Sequence, residues 1–168
     1  MSAISQVIHP AFAQILGALD AILDKLDAHC TAKKLDPSVF LSARLYPDMF
    51  PFTRQIQIAC DFAKGAACRL SGQEVPSWPD NEASIAELKA RIAKTRAVVD
   101  GVSTESLASS DDRIIKIKLG RNAPETEMSG QTYVANVVLP NFYFHATTAY
   151  AILRHNGVEI GKNDFLAR

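Results

Sequence analysis

The chain has 168 residues, of which 48% are hydrophobic and 21% are charged, as in an ordinary globular domain. Eighteen basic residues balance eighteen acidic ones, so no net positive field exists to attract nucleic acid or an anionic membrane. No run of eighteen apolar residues occurs, and no basic segment with a long apolar run opens the chain. We therefore expect a single cytoplasmic domain over residues 1–168, with no nucleic-acid partner and no membrane partner.

Four segments carry apolar residues at the spacing of three and four that is typical of amphipathic helices. The predicted helices are Ile4–Lys33, Pro51–Leu70, Ser84–Val102 and Pro140–His155. Ser71 and Gly72 form a stop signal after the second helix. Ser84 and Glu87 have the spacing of a capping box, which predicts the start of the third helix.

The segment between the third and fourth predicted helices has a different pattern. Arg113–Leu119 alternates basic and apolar residues, and Thr132–Val138 is rich in β-branched and aromatic types. Two such runs around a loop with Gly and Pro predict a β-hairpin. Because a lone hairpin is marginally stable, it should pack on the helices or on a partner chain. The expected fold is an all-α antiparallel four-helix bundle with this hairpin inserted.

Two of the predicted helices carry polar side chains along one face. The second helix has Arg54, Gln57 and Asp61 at such positions, and the fourth has Asn141, His145 and Thr148. Sites in helical bundles are built from side chains that project inward from facing helices. We therefore predict that Asp61 orients His145 as a catalytic pair, and that the other four side chains bind a ligand.

A plainer interpretation of the same residues stays open. Charged residues are usually exposed, so Arg54, Gln57 and Asp61 would form a solvated face. His145 would then be a buried histidine that is satisfied by one hydrogen bond. Tyr46 and Tyr150 offer hydroxyl groups to a ligand pocket, with no specific signal for that role.

Two long motifs carry a family resemblance. The segments YPDMFPFTRQIQIACDFAKGAACRLSG and LPNFYFHATTAYAILRHNGVEIGKNDFL resemble an uncharacterised bacterial family, a domain of unknown function. That family is grouped with the DinB/YfiT-like superfamily of four-helix bundles. The resemblance covers nearly the whole chain and implies the bundle fold. It also implies a homodimer, which the hairpin and the aromatic run of the fourth helix favour as well.

The resemblance raises the question of a metal site. Better-characterised relatives in the superfamily bind zinc or nickel through three histidines, and some are thiol-dependent transferases or isomerases. The resemblance puts His145 on their last histidine, Asn141 on the preceding one, and Gln57 near the third. Neutral carboxamides are weak ligands for zinc and nickel. We therefore expect no cofactor, with a divalent metal as the alternative.

Three hypotheses for function follow. In the first, a degenerate metal site survives as a polar pocket between the second and fourth predicted helices and binds a small molecule. In the second, the protein is an enzyme, a metal-dependent or histidine-based transferase or hydrolase that uses His145. In the third, Asn141 and His145 only hold the helices in register.

Overall fold

The computed structural model describes residues 3–120 and 122–168. Its four long helices are α1 (Ala3–Lys33), α3 (Phe52–Ser71), α4 (Ile85–Asp100) and α6 (Leu139–His155). The short helices are α2 (Pro37–Leu41), α5 (Gly130–Tyr133) and α7 (Lys162–Phe165). The predicted helical bundle with an inserted hairpin is therefore confirmed.

Helices α1 and α3 each pack against both α4 and α6. The apolar stripe of α1 is fully buried, with Ile8, Phe12, Leu19 and Leu26 shielded from solvent. By length and composition, α1 could cross a membrane. The buried core helix of a bundle passes the same test, and the burial of this stripe is what a core helix requires.

Local chemistry sets the helix ends where the sequence predicts them. The Ser84 side chain accepts a hydrogen bond from the Glu87 N–H at 3.2 Å, and the Glu87 carboxylate accepts one from the Ala83 N–H at 2.7 Å. These two bonds fix the start of α4. At the end of α3, Gly72 has φ +76°, a left-handed conformation that glycine adopts without strain.

The hairpin consists of β1 (Ile114–Lys118) and β2 (Glu125–Ser129), paired antiparallel with Ile114 opposite Ser129. The first strand lies within its predicted range. The second strand does not, since Glu125–Ser129 is polar and carries no alternating apolar signal. One cross-strand ion pair, Lys116 Nζ to Glu127 at 2.7 Å, supports the register.

The prediction of a strand at Thr132–Val138 is wrong, because that segment is helical. Ser129 caps α5 by accepting a hydrogen bond from the Thr132 N–H, and the chain then stays helical to His155. The buried residues of the segment are Tyr133, Val134, Val137 and Val138, a helical spacing. Burial of this apolar face against the bundle outweighs the strand preference of β-branched residues.

A π-helical turn, residues Val134–Val138, joins α5 to α6. The Leu139 N–H donates to the Val134 carbonyl, five residues back instead of four. Pro140 follows at once, and it has no N–H for the Asn136 carbonyl and would press its ring against that group in an α-helix. The proline therefore accounts for the widened turn, a feature that is frequent at functional sites.

Candidate functional site

The polar pair of α6 lies where α6 faces α3. His145 is 9% exposed and Asn141 is half-buried. The Asn141 side-chain Nδ2 donates to the Val137 carbonyl at 2.7 Å, inside the π-helical turn. The Asn141 side chain is thus anchored within its own helical segment.

The partner of His145 is Gln55 of α3, which the sequence analysis missed. Nδ1 of His145 lies 2.6 Å from Oε1 of Gln55. The Nε2 group of Gln55 in turn donates to the Phe50 carbonyl at 3.0 Å. A chain of hydrogen bonds therefore runs from the loop before α3 to the imidazole.

Aromatic rings enclose the imidazole on two sides. Phe62 stacks on it with ring centroids 6.2 Å apart and an interplanar angle of 16°. Phe144 meets it edge-on at 5.2 Å. Burial, and after it the positive charge of Arg54, lowers the pKa of His145 below its ordinary 6.5. The ring is therefore neutral at neutral pH.

The predicted catalytic pair of Asp61 and His145 is not formed. The Asp61 carboxylate instead binds Nη2 of Arg91 and Nζ of Lys64, each at 3.0 Å. Both cations are buried, and a buried cation needs a carboxylate more than a neutral imidazole does. His145 thus fits the plainer interpretation, since it is buried with a single hydrogen bond.

The polar face of α3 is only partly exposed. The loop between α3 and α4, residues 73–84, supplies two carboxylates to it. Arg54 binds Asp80 through Nη1, and Gln57 Nε2 donates to Glu82 at 2.8 Å. Arg54 and Gln57 are therefore already occupied by the protein's own loop.

The remaining predicted ligand-binding residues do not converge. The Thr148 hydroxyl donates to the Phe144 carbonyl at 2.7 Å, one turn back in its own helix. Tyr150 packs edge-on against Phe165 of α7 at 5.8 Å. Tyr46 is 66% exposed at the surface. Of the eight residues that the sequence proposes, Asn141 and His145 are neighbours on α6, and Arg54 and Gln57 are neighbours on α3.

The donor set does not fit the metal that the superfamily implies. Among residues 3–120 and 122–168, no group of three or more His, Cys, Asp or Glu side chains could hold an ion. Nδ1 of His145 is bonded to Gln55, and Asn141 and Gln57 offer only carboxamides. Zinc and nickel prefer imidazole and thiolate, so these residues form no site for either metal.

A cleft of about 400 Å³ opens beside Asn141, between α3, the π-helical turn and the tip of the hairpin. We call it the hairpin cleft. Its walls are Phe62, Ile117, Lys118, Leu119, Gly120, Asn136, Val137 and Asn141. Phe62 connects the two features, since it lines the hairpin cleft and stacks on the imidazole of His145. Asn141 therefore lines the cleft itself, whereas His145 contacts it only through the ring of Phe62.

The lowered pKa of His145 predicts a pH dependence of stability. As the pH falls, His145 binds a proton in the unfolded chain before it does so in the folded protein. The contribution of His145 to the free energy of unfolding is therefore complete above pH 6.5 and is lost as the pH falls towards the folded-state pKa. We expect the free energy of unfolding to fall more steeply between pH 7.5 and 5 in the wild type than in His145→Asn. Guanidinium unfolding at several pH values measures both slopes, and parallel slopes would contradict the prediction.

The geometry defines the class of protein as a helical bundle with an inserted hairpin, in which Asn141 lines a largely apolar cleft. The family model described as "Domain of unknown function (DUF1993)" matches residues 4–166. The chain therefore belongs to the DUF1993 family. A crystal structure of a DinB family member protein from Shewanella denitrificans is 41% identical, with a TM-score of 0.86. The match covers 94% of this chain and 88% of that one. No functionally curated protein matches the sequence.

Proposed function

We propose that this protein binds a small organic molecule in the hairpin cleft, without a metal. The observation that carries the proposal is that the cleft places the Asn141 carboxamide beside apolar walls. Its volume of about 400 Å³ lies within the range of ordinary ligand sites. Few polar groups among apolar walls are the usual composition of such sites.

The walls divide the hairpin cleft into an apolar part and polar points. Phe62, Ile117 and Val137 are half-buried or buried, so a ligand against them would be removed from water. Each apolar Å² so covered contributes about 25 cal/mol to binding. Asn136 and Asn141 supply the directional contacts, and Lys118 provides a positive charge at the rim.

The π-helical turn supports the same location. It contributes Asn136 and Val137 to the wall of the hairpin cleft, and its Val137 carbonyl holds the Asn141 side chain. An α-helical path would rotate these residues relative to α6, since each residue of an α-helix turns the face by about 100°. The wide turn therefore brings two amide side chains to one cleft.

Blocking the hairpin cleft should abolish binding. Asn136 is exposed on the wall, so Asn136→Trp fills the cleft without entering the core. The neighbouring Ala135 is also exposed but does not line the cleft, and Ala135→Trp is the matched control. With a fragment selected by saturation-transfer NMR, we expect calorimetry to show at least about tenfold weaker binding in Asn136→Trp. Equal losses in both variants would count against the site.

An enzyme that uses His145 is the second candidate, and one observation favours it. The hydrogen bond to Gln55 engages Nδ1 and leaves Nε2 without a partner among the described residues. A neutral imidazole with a free Nε2 is a competent general base. Turnover of a small hydrolysable or thiol substrate that is lost in His145→Asn would establish this role. Ligand binding without turnover would support only the first proposal.

A further inference from the structure

A second cleft, of about 460 Å³, lies between α3 and the loop of residues 73–84. We call it the loop cleft. Its walls include four charged side chains and one indole ring, namely those of Asp61, Lys64, Arg69, Asp80 and Trp78. None of these residues lines the hairpin cleft, so the two clefts are separate features of the molecule.

One charge in the walls of the loop cleft is not balanced by an ion pair. Three carboxylates and three cations around the cleft are joined in one network, namely Asp61, Asp80 and Glu82 with Arg54, Lys64 and Arg91. The formal charges of this network sum to zero. Arg69 forms no ion pair in the part of the chain that the structure describes. Its guanidinium is therefore the uncompensated positive charge of the loop cleft.

The hydrogen-bond partner of Arg69 is a neutral hydroxyl. Nη1 of Arg69 donates to the Tyr133 hydroxyl at 3.1 Å. Burial raises the pKa of Tyr133 more than the charge of Arg69 lowers it, so the phenol stays uncharged at neutral pH. A guanidinium carries five N–H donors, and this bond uses one of them. Because Arg69 is partly exposed in the wall of the loop cleft, Nε and Nη2 remain for a ligand.

A glycine inside α3 makes room for this guanidinium. Gly65 lies one turn before Arg69, and a Cβ atom there would overlap Nη1 of Arg69 and lie 3.5 Å from its Cζ. The three nearest atoms all belong to that guanidinium, so the packing of the helices does not itself require a glycine. Glycine within a helix is less stable than alanine. The structural reason for Gly65 is therefore the position of Arg69.

We propose that the loop cleft is a second binding site, which holds the carboxylate or phosphate group of a small organic acid on Nε and Nη2 of Arg69. Two parallel N–H groups of a guanidinium match two oxygens of such a group. Tyr133 and Gly65 set the position of the guanidinium, and Val75 and Pro76 add apolar walls for the rest of the ligand. The site does not depend on binding in the hairpin cleft.

Three matched aromatic probes test the requirement for a negative charge. Benzoate and phenyl phosphate carry the anionic group, whereas benzamide has the same ring without the charge. Trp78 is the single tryptophan of the chain and lines the loop cleft, so its indole ¹H–¹⁵N signal reports binding there. At constant ionic strength, we expect one of the anions to bind the wild type at least about tenfold more tightly than benzamide. The tighter anion identifies the group that the site prefers.

Two variants of α3 separate the charge of Arg69 from its position. Arg69→Gln removes the charge, whereas Gly65→Ala keeps the charge and displaces the guanidinium. We expect each variant to weaken binding of the tighter anion at least about tenfold. Gly65→Ala should fold, since alanine favours the helix. Arg96→Gln removes an exposed cation of α4 that does not line the loop cleft, and as the matched control it should leave the affinity unchanged.

The wild-type titration decides the proposal even if a variant does not fold. If benzamide binds as tightly as both anions, or if no probe moves the indole signal of Trp78, the anion site is wrong. Equal losses of affinity in Arg69→Gln and Arg96→Gln would also overturn it, because they would indicate a general effect of charge. Asn136→Trp, which blocks the hairpin cleft, should leave anion binding unchanged, so the failure of one site is distinguishable from the failure of the other.

Discussion

Replacing Arg91 with methionine is expected to lower the free energy of unfolding by about 3 kcal/mol, because it leaves Glu82, whose side chain is only 12% exposed, without its cation. The Arg91 side chain is 1% exposed, and it binds Asp61 at 3.0 Å, Asp80 at 2.9 Å and Glu82 at 2.9 Å. It also donates to the Pro79 carbonyl at 3.1 Å. One guanidinium thus ties α3, α4 and the loop of residues 73–84 together.

The pKa shifts of Glu82 and Arg91 show that each side chain stabilises the charge of the other. Burial works to raise the pKa of Glu82, but hydrogen bonds from Arg91 and Gln57 outweigh it and hold that pKa below its ordinary value. Burial likewise works to lower the pKa of Arg91, and the carboxylates more than reverse that effect. Removing the cation therefore leaves the partly buried Glu82 charge with Gln57 as its remaining side-chain donor.

Urea unfolding measures the effect, and Arg96→Met is its matched control. Arg96 is an exposed cation on the same helix, so its loss should change stability by no more than about 0.5 kcal/mol. Adding Glu82→Gln to Arg91→Met should recover part of the loss, since it removes one of the stranded charges. A loss in Arg91→Met as small as that in Arg96→Met would refute this account of the cluster.

Gly130→Ala is the second change with a large expected effect, about 3 kcal/mol or more of lost stability. A Cβ atom at this position would lie 1.9 Å from the Ser110 carbonyl oxygen and 3.1 Å from Cδ2 of Leu70. The first neighbour is backbone, which cannot rotate away as a side chain can. Either the start of α5 or the segment before the hairpin must shift.

Gly17 provides the opposite case in the same fold. It lies within α1, and a Cβ atom there would meet nothing within 4 Å. Gly17→Ala should therefore stabilise the protein by roughly 0.5 to 1 kcal/mol, the usual gain within a helix. Chemical denaturation of both variants checks the pair. Similar effects of the two substitutions on stability would contradict the close approach of Gly130 to the Ser110 carbonyl.

The sequence predicts the four long helices because each has its own apolar period and its own end signals. Of the two hairpin strands, only the first lies where the sequence predicts a strand. Glu125–Ser129 is a polar strand whose pairing depends on β1, so no local pattern marks it. The helical character of Val134–Val138 depends on burial against the bundle, which local strand preference conceals.

The site is less predictable, because side-chain pairing depends on facing helices. The prediction for Asp61 assumed that a carboxylate would choose the imidazole, whereas the buried Arg91 attracts it more strongly. Gln55 did carry a signal that was overlooked. It lies three residues after Phe52 and four before Ala59, both fully buried, so the period places it on the buried stripe of α3. A polar residue on such a stripe needs a partner, and His145 is that partner.

The most direct test of ligand binding in the hairpin cleft is a two-dimensional ¹H–¹⁵N NMR titration with the best-binding fragment from the saturation-transfer screen. We predict that the side-chain amide signals of Asn136 and Asn141 shift, together with backbone signals of residues 117–120. The indole signal of Trp78, the single tryptophan of the chain, should stay in place because Trp78 lines other clefts. Shifts centred on Trp78, or no shifts at saturating ligand, would contradict the proposed site.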